Sequence, residues 1–425
     1  MAVVAVMPAK PQEKRRLTVE ELFNLVEAGS KTLQEQKSSV EFANQGVEAA
    51  RSQRLPDVNA SLSASYNGNV VVMDRDFTNA NGFSSPHFGN SFALEAQQVV
   101  YAGGAIDAGI KMAEIQRDMA VSGQRLASNN QRFIALGQYL DLFKNQNSQQ
   151  VLLQNIELTK RLIDDINAKH DQGMALKNDV TRYELQMETL RLNLRKLQDQ
   201  QAILNHQLCN TLGIGNTQIL PDTTIVNQAF AQEGEQHWQQ TAIASSPQIE
   251  QSQLSVQMAQ QQLKLAKSEM LPKLAVVAAD NFSGPFTYDI PPIDKNINYW
   301  YVGVGVKYPT SSLFKSNKKV RQAKVGIERS MNQQRVTEES LNNQVQQAWT
   351  LYQQSYVDLD TQRKSVQLAR QNYEVVNERY LNQLALITDM LDASNIRLNA
   401  ELQEVDARIN IVYAYYKMKF IAGTM

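Results

Sequence analysis

The chain has 425 residues, of which 42 are basic and 43 acidic, and this balance argues against a nucleic-acid-binding protein driven by a general basic field. The mean hydropathy is −0.40, and because no run of about 18 apolar residues occurs, the sequence predicts no transmembrane helix. A single cysteine excludes an intrachain disulfide framework and a multi-cysteine metal site.

A sequence repeat spans about half the chain. Ala50–Pro56 is nearly repeated at Ala266–Pro272, and Leu176–Val180 aligns with Leu386–Met390. The two matches occur in the same order in each half. They predict two similar structural units related by pseudo-symmetry.

Residues 1–16 are predicted to be a disordered N-terminal segment. Thr18 and Glu21 then form the pattern of a capping box, which opens a helix. The helical pattern continues to about Arg54, and Pro56 stops it.

Strand-like alternation follows each Leu-Pro pair. It predicts one hairpin over residues 57–101 and a second over residues 272–308. Asp280 interrupts the apolar face of the second hairpin, so its first strand is the weakest prediction. The first strand alternates polar residues with these apolar ones: Val58, Ala60, Leu62, Ala64 and Tyr66.

Long helices are predicted after the hairpins. No proline occurs from Gly104 to about Lys169, which corresponds to a helix of roughly 100 Å. Apolar positions alternate in spacings of three and four, which indicates coiled-coil seams. These seams are Leu152, Ile156, Thr159, Ile163 and Ile166; Val180, Tyr183, Met187 and Leu190; and Val366, Ala369, Tyr373, Val376 and Tyr380.

The predicted organisation is therefore a first repeat at residues 17–213, a linker at 214–236 and a second repeat at 237–425. Each repeat reads helix, strand hairpin, long helix, tight turn and returning helix. Four strands cannot close a barrel, and open sheet edges are not tolerated in lipid. If the strands lie in a membrane, several chains must share one barrel, and three chains would supply about twelve strands.

The ordered set of motifs, present twice, resembles the TolC-like outer-membrane efflux protein family. It comprises Leu55-Pro56 and Leu271-Pro272, the strand exit Val99–Gly104, and the turn patterns His170, Gly173, Asp179 and Tyr380, Gln383, Asp389. The resemblance implies a mainly α fold with a transmembrane β-barrel, formed by a homotrimer with twelve strands. A tunnel of coiled-coil helical hairpins would extend through the periplasm of a Gram-negative bacterium, and 214–236 would be an equatorial linker.

The resemblance also implies a function and partners. The protein would be the passive outer-membrane duct of a tripartite efflux or type I secretion system. A periplasmic adaptor (membrane fusion) protein and an inner-membrane pump would open its periplasmic end. Outer-membrane lipid would surround the barrel, and no nucleic acid, cofactor or metal is expected.

Four residues are candidates for a periplasmic gate. Asp389 and Asp392 lie three residues apart at a helix start and can share one face. In the family, matching aspartates form a ring at the constricted end, which would favour cations. Tyr380 and Asp179 match family positions that hold neighbouring coils together, although the basic residue that often completes this latch is replaced by Ala385.

The alternative is purely structural. Both aspartates of the second repeat favour a helix N-terminus through capping and the helix dipole. Tyr380 would then be the last core residue of its seam, and Asp179 an N-cap.

The two turns are candidate adaptor contacts, because apolar residues at exposed tips suit a partner. The alternative is that both turns pack within the trimer. Gln383 stands where the family pattern has glycine, so a different backbone geometry is expected there. The tip residues are Gly173, Met174, Ala175, Leu176, Gln383, Leu384, Ala385 and Leu386.

An enzyme is not expected. The four histidines, His87, His170, His206 and His237, are scattered and lack metalloprotease spacing. A different alternative is a secreted or phage-like structural coiled coil with a soluble β-domain, which would need no apolar outer face on its strands.

Overall fold

The computed structural model describes residues 14–425 apart from 216, 229, 231, 232, 288, 290 and 383. Most of the predicted disordered N-terminal segment, residues 1–13, lies outside the described residues. Within them, Lys14–Leu17 form a strand, β1, so the prediction of disorder was wrong for residues 14–16. The strand is ordered because it pairs in parallel with β6 (Gln218–Pro221) and buries Leu17 completely.

The chain divides into two compact units that cut across the sequence repeat. One unit comprises Met1–Ser39, Val121–Gln251 and Arg335–Met425. The other comprises Val40–Ala120 and Ser252–Gln334. The first holds the helix turns and the linker, and the second holds the four-stranded sheet.

The helix predicted to run from residue 18 to about Arg54 is two helices. They are α1 (Val19–Gly29), which opens with the Thr18–Glu21 capping box, and α2 (Lys31–Ser52). Ser30 breaks the helix because its backbone is extended, and its amide caps α1 by donating to Val26.

The second repeat breaks in the same way at Ser246, which is also extended. There α5 (Glu235–Ser245) is followed by α6 (Pro247–Ser268). The repeat therefore reproduces an interruption that apolar periodicity alone does not reveal.

The linker between the repeats contains regular structure. It holds β6, a short 3-10 helix at Thr223–Asn227 and the start of α5. Tyr139 fastens this region: its hydroxyl donates to the Leu17 backbone oxygen at 2.8 Å and accepts from the Asp222 amide at 2.7 Å. Burial raises the pKa of Tyr139 to about 12.

Four long helices form two hairpins. The first hairpin is α3 (Ala105–Asp171) with α4 (Lys177–Leu212), and the second is α7 (Ser312–Leu381) with α8 (Ile387–Ile421). The predicted seams lie on the inward faces: every seam residue named above is buried or half-buried. Within the described ranges, no helix combines the length and apolar character that crossing a membrane requires.

The sheet contains one hairpin from each repeat. Its antiparallel strand order is β2 (Asp57–Tyr66), β5 (Phe88–Tyr101), β7 (Lys273–Gly284) and β8 (Ile297–Lys307). Two short strands, β3 (Val70–Val72) and β4 (Asn81–Phe83), pair with each other between β2 and β5. β7 runs without interruption through Asp280, where the sequence pattern was weakest.

Register gives this sheet one apolar and one polar face. Leu62, Phe92 and Phe282 are aligned across three strands, and the next row is Ser63, Ser91 and Ser283. Side chains of aligned residues share a face, and successive rows alternate. Asp280 places a carboxylate on the apolar face, since it lies in the row of Leu94 and Trp300.

Both outer strands of the sheet are long. β2 has ten residues and β8 has eleven, and within the described part of the chain each pairs along one side only. Their apolar side chains are exposed, for example Leu62 at 81% and Val304 at 68%. In an isolated chain, these edges would leave backbone groups unpaired and apolar side chains uncovered.

Candidate functional site at the helix turns

The turn between α3 and α4 is closed by glycine. Gly173 has φ of +73°, a conformation that a side chain disfavours. The Gly173 amide donates to the His170 oxygen and the Met174 amide to the Lys169 oxygen, both at 2.8 Å. These two bonds satisfy carbonyls left open at the end of α3 and reverse the chain within five residues.

The turn between α7 and α8 also reverses the chain, but with a different set of hydrogen bonds. The Leu384 amide donates to the Arg379 oxygen at 2.7 Å, and the Arg379 guanidinium donates back to the Leu384 oxygen at 3.4 Å. The side chain of Arg379 thus reinforces the second turn. Gln383, for which an unusual backbone geometry is predicted, lies outside the described residues.

Asp179 and Asp389 occupy equivalent positions in the first turns of α4 and α8. Asp179 Oδ2 accepts from the Leu176 amide at 3.3 Å, and Asp389 Oδ2 accepts from the Leu386 amide at 3.1 Å. Each carboxylate therefore stabilises its own helix start, which is the role that the structural alternative gave to Asp389. The prediction that Asp179 is the N-cap was wrong by three residues, since the N-cap is Leu176.

Asp392 lies one helical turn beyond Asp389 and is exposed, as Asp389 is. The spacing keeps both carboxylates on one face of α8. Asp389 uses one of its oxygens as a cap, and carboxylate oxygens can accept further bonds. The face therefore presents two negative charges to solvent at the turn end of the helix.

Tyr380 belongs to an apolar group that joins all four long helices, which we call the tip cluster. Burial raises the pKa of the Tyr380 hydroxyl, and the negative charge of Asp179 raises it further. Lys169 Nζ lies 5.4 Å from the centroid of the Tyr380 ring. The buried members of the tip cluster are Leu162, Ile166, Val180, Tyr183, Tyr373, Ile387, Met390 and Ala393.

The predicted latch between Tyr380 and Asp179 is not a hydrogen bond among the described residues of a single chain. Asp179 is directed to its own helix start, while Tyr380 packs against the tip cluster. The charge of Asp179 is nevertheless close enough to affect the tyrosine hydroxyl.

The two turns expose apolar side chains in matching positions. Leu176 and Leu386 are each 70% exposed, Leu384 is 69% exposed and Met174 is 51% exposed. Ala175 and Ala385 are half-buried beside them. An isolated chain gains nothing from four exposed apolar tips, so the turns are suited to a partner surface.

Sequence reasoning missed a polar layer beyond the tip cluster. The Arg397 guanidinium donates to Asn155 Oδ1 at 3.1 Å and lies 4.0 Å from the Tyr373 ring centroid. Gln186 donates to Asn395 at 2.8 Å in the same region. Asn155 lies beside the seam position Ile156, and a buried polar residue next to a heptad seam is the signal that could have revealed the layer.

No group of three or more His, Cys, Asp or Glu side chains suited to a metal ion occurs among the residues that the structure covers. The described turns present carboxylates, exposed apolar side chains and a packed tip cluster.

Comparisons with known proteins agree with this geometry. A family model described as outer membrane efflux protein matches residues 22–214 and 238–424, most of both repeats. The outer membrane efflux protein BepC of Brucella suis biovar 1 (strain 1330) is 20% identical over 404 residues, covering 92% of this chain and 82% of BepC.

Two solved structures share the fold over nearly the whole chain. CusC, whose structures concern folding and transmembrane channel formation, has a TM-score of 0.82 at 13% identity and covers 99% of this chain and 98% of its own. The outer membrane protein VceC from Vibrio cholerae has a TM-score of 0.78 at 15% identity and covers 95% and 96%.

The matched family and structures are channels, not enzymes. The helical hairpins and strands of this chain have the fold of outer-membrane channels of the TolC-like class. The protein is located in the outer membrane and extends into the periplasm, which argues against the secreted structural alternative. The chain belongs to the outer membrane efflux protein family.

Proposed function

We propose that three copies of this chain form the passive exit duct of a tripartite efflux or type I secretion system. The sheets of the copies join edge to edge into one twelve-stranded barrel in the outer membrane. The helical hairpins enclose a passage through the periplasm. An inner-membrane pump supplies the energy and a periplasmic adaptor protein connects the two.

One observation carries the proposal: a four-stranded sheet with an apolar face and two outer strands, β2 and β8, that each pair along one side only within the described chain. In hydrocarbon, each unpaired backbone group costs several kcal/mol, so the sheet must close. Pairing β8 of one copy with β2 of the next removes every edge. Three copies give a strand number typical of outer-membrane barrels.

The gate is proposed at the turn end of the helices. Asp389 and Asp392 of three copies would place six carboxylates around the passage, favouring cations in the closed state. Tyr380 is part of the tip cluster and Asp179 lies close enough to influence its hydroxyl, so a change in helix packing there would move both residues. The adaptor would dock on the exposed tips, with Leu176 and Leu386 as equivalent contacts from the two repeats.

Light scattering with and without detergent, followed by conductance in a planar bilayer, tests the duct. We expect a trimer that stays dispersed only in detergent and that forms discrete, low-conductance channels when closed. A monomer or dimer that is stable in plain buffer would contradict the shared barrel. A trimer with no conductance, even after substitutions in the tip cluster that weaken its packing, would contradict the duct.

A further inference from the structure

Seven lysines surround the junction between the second strand hairpin and the helices that flank it, α6 and α7. They lie on four elements: the end of α6, the start of β7, the end of β8 and the start of α7. All seven are exposed. They lie in residues 264–273 and 307–319, and these two segments contain one acidic residue, Glu269. We call this set the basic collar: Lys264, Lys267, Lys273, Lys307, Lys315, Lys318 and Lys319.

The arrangement is electrostatically unfavourable for the chain alone. Lys273 and Lys307 are directly opposite each other in the β7–β8 register, and like charges in that relation destabilise a sheet. Lys315, Lys318 and Lys319 lie in the first turns of α7, where the helix dipole disfavours cations. Lys319 is partly compensated, since it forms an ion pair with Glu269 at 2.8 Å.

The first repeat provides an internal comparison at the equivalent junction. There the cations are neutralised within the chain: Arg54 pairs with Asp107 at 2.6 Å, and Glu114 pairs with Arg51 at 3.3 Å and Lys111 at 3.0 Å. The same helix-to-strand geometry therefore forms without excess positive charge. The excess in the second repeat is not a requirement of the fold.

A depression at this level is open to a ligand. A cavity of about 410 Å³ lies between the start of α3 and the end of α6. Its charged lining residues are Lys264, Lys267, Lys111 and Asp107, of which Asp107 pairs with Arg54 and Lys111 with Glu114. Gly104, on its wall, has no atom within 4 Å of the position that a Cβ would occupy. Space and positive charge therefore coincide.

The position of the collar identifies its ligand. On the proposed function, the strands cross the hydrocarbon, so the helix-to-strand junction lies in the headgroup layer of the leaflet that faces the periplasm. Lys315 and Lys319 are about 5 and 10 Å along α7 from its start, comparable to the thickness of that layer. Lysine side chains near such a boundary extend their ammonium groups to the interface.

We propose that the basic collar binds the phosphate groups of anionic phospholipids in the periplasm-facing leaflet of the outer membrane. Bound phosphates offset the repulsion between Lys273 and Lys307 and the unfavourable helix start of α7. They hold the second-repeat junction at a defined depth, while the self-neutralised first-repeat junction depends less on lipid charge. This inference rests on the proposed membrane position of the strands.

The test uses the full chain purified in neutral detergent and titrated with phosphatidylglycerol or phosphatidylethanolamine. The collar variant carries Lys264→Gln, Lys315→Gln and Lys318→Gln. The control variant loses the same charge at exposed lysines on the other compact unit: Lys160→Gln, Lys196→Gln and Lys364→Gln. The apparent Kd for lipid is read from the shift in thermal unfolding.

We expect wild type and control to bind phosphatidylglycerol more tightly than phosphatidylethanolamine, with the preference lost at high salt. The collar variant should bind phosphatidylglycerol at least about tenfold more weakly, since each lysine near an anionic surface contributes several-fold. Equal affinities for wild type and collar variant, or equal losses in both variants, would overturn the proposal. So would normal lipid binding by a collar variant that fails in efflux, because the collar would then contact a protein.

Light scattering on the same samples separates the two proposals. A trimer whose lipid preference is unchanged by the collar substitutions contradicts only the proposal that the basic collar binds lipid. A chain that never forms a trimer contradicts the proposed duct. If the triple variant does not assemble, Lys264→Gln alone is compared with Lys160→Gln, with about a several-fold loss of phosphatidylglycerol affinity expected for the collar substitution only.

Discussion

At the scale of single residues, equivalent positions in the two repeats have equivalent roles only where the backbone requires them. Asp179 and Asp389 cap their helices with the same geometry because a free amide at a helix start needs an acceptor. Charged side chains that do not cap a helix differ between the two repeats, as the lysines of the basic collar show.

Tyr139 is a residue whose single hydroxyl connects two segments. Tyr139→Phe would remove one hydrogen bond from the Leu17 oxygen and one from the Asp222 amide, which would keep their direct bond to each other at 3.1 Å. We expect the free energy of unfolding to fall by about 0.5–1.5 kcal/mol, and trypsin to cut faster after Arg15 and Arg16. Denaturant titration and limited proteolysis measure both effects.

The control for this substitution is Tyr413→Phe, which removes a hydroxyl from a tyrosine that is 41% exposed. We expect it to change the free energy of unfolding by no more than about 0.5 kcal/mol and to leave the rate of trypsin cleavage unchanged. Equal effects of the two substitutions would show that Tyr139 does not hold β1 in place.

The two proposed gate aspartates can be tested without loss of the capping bond that Asp389 makes. Asp389→Asn and Asp392→Asn together remove charge, while the amide oxygen introduced at position 389 can still accept from the Leu386 amide. We expect lower cation selectivity and about tenfold weaker block by a polyvalent cation, because six carboxylates would leave the passage. Single-channel recording provides both quantities.

Asp358→Asn with Asp360→Asn is the matched control, since it removes the same charge from exposed positions of α7 remote from the turns. If the control alters selectivity as much as the gate variant, the effect comes from net charge and not from the proposed ring.

At the scale of elements, the strands were the easier part to predict and the helix breaks the harder. Alternation over Asp57–Tyr66 predicted a strand that the structure forms over the same residues. The break at Ser30 was not predicted because the apolar periodicity continues across it, although Gly29 ends α1 immediately before it. Periodicity detects a buried face, whereas a single extended residue leaves that face almost unchanged.

The two faces of β2 make an element-scale prediction. Leu62→Lys places a charge on the apolar face and Ser63→Lys places the same charge on the opposite face. If the apolar face meets lipid, we expect Leu62→Lys to destabilise the assembled barrel by about 2–4 kcal/mol and Ser63→Lys by less than about 1 kcal/mol. Heat-modified mobility on gels and denaturant titration in lipid measure the difference.

These neighbouring substitutions are matched in charge, size and position along the strand. A larger penalty for Ser63→Lys would place the lipid on the polar face and would contradict the proposed orientation of the sheet. Equal small penalties would indicate that neither face is in hydrocarbon.

At the scale of the whole molecule, buried tyrosines connect stability to pH. Burial raises the pKa of Tyr139 to about 12, and burial also raises the pKa of Tyr183 and Tyr352. In the unfolded chain a tyrosine loses its proton near pH 10. The stability due to these neutral hydroxyls is therefore complete below about pH 10 and is lost as pH rises toward the folded-state values.

We therefore expect the free energy of unfolding to be constant from about pH 8 to 10 and to fall steeply above that. Tyr183→Phe should reduce the slope while leaving stability at pH 8 nearly unchanged, because its buried hydroxyl has no hydrogen-bond partner among the described residues. Denaturant titrations at several pH values measure the slopes. Parallel curves for wild type and variant above about pH 10 would contradict this assignment.

The sequence by itself determined the repeat, the strands, the long helices and the family resemblance, because these depend on periodic burial and on ordered motifs along the chain. It also located both turns and their exposed apolar tips. The candidate gate residues were named from the resemblance, and their gating role stays a prediction.

Only the tertiary structure decided which groups meet. It directed Asp179 to Leu176, joined Arg397 to Asn155, and put Tyr139 between β1 and the linker. It also placed Lys273 opposite Lys307 and, within the described chain, left one side of β2 and of β8 unpaired. Such pairings join residues far apart in the chain, and periodicity specifies which face is buried without specifying the partner that covers it.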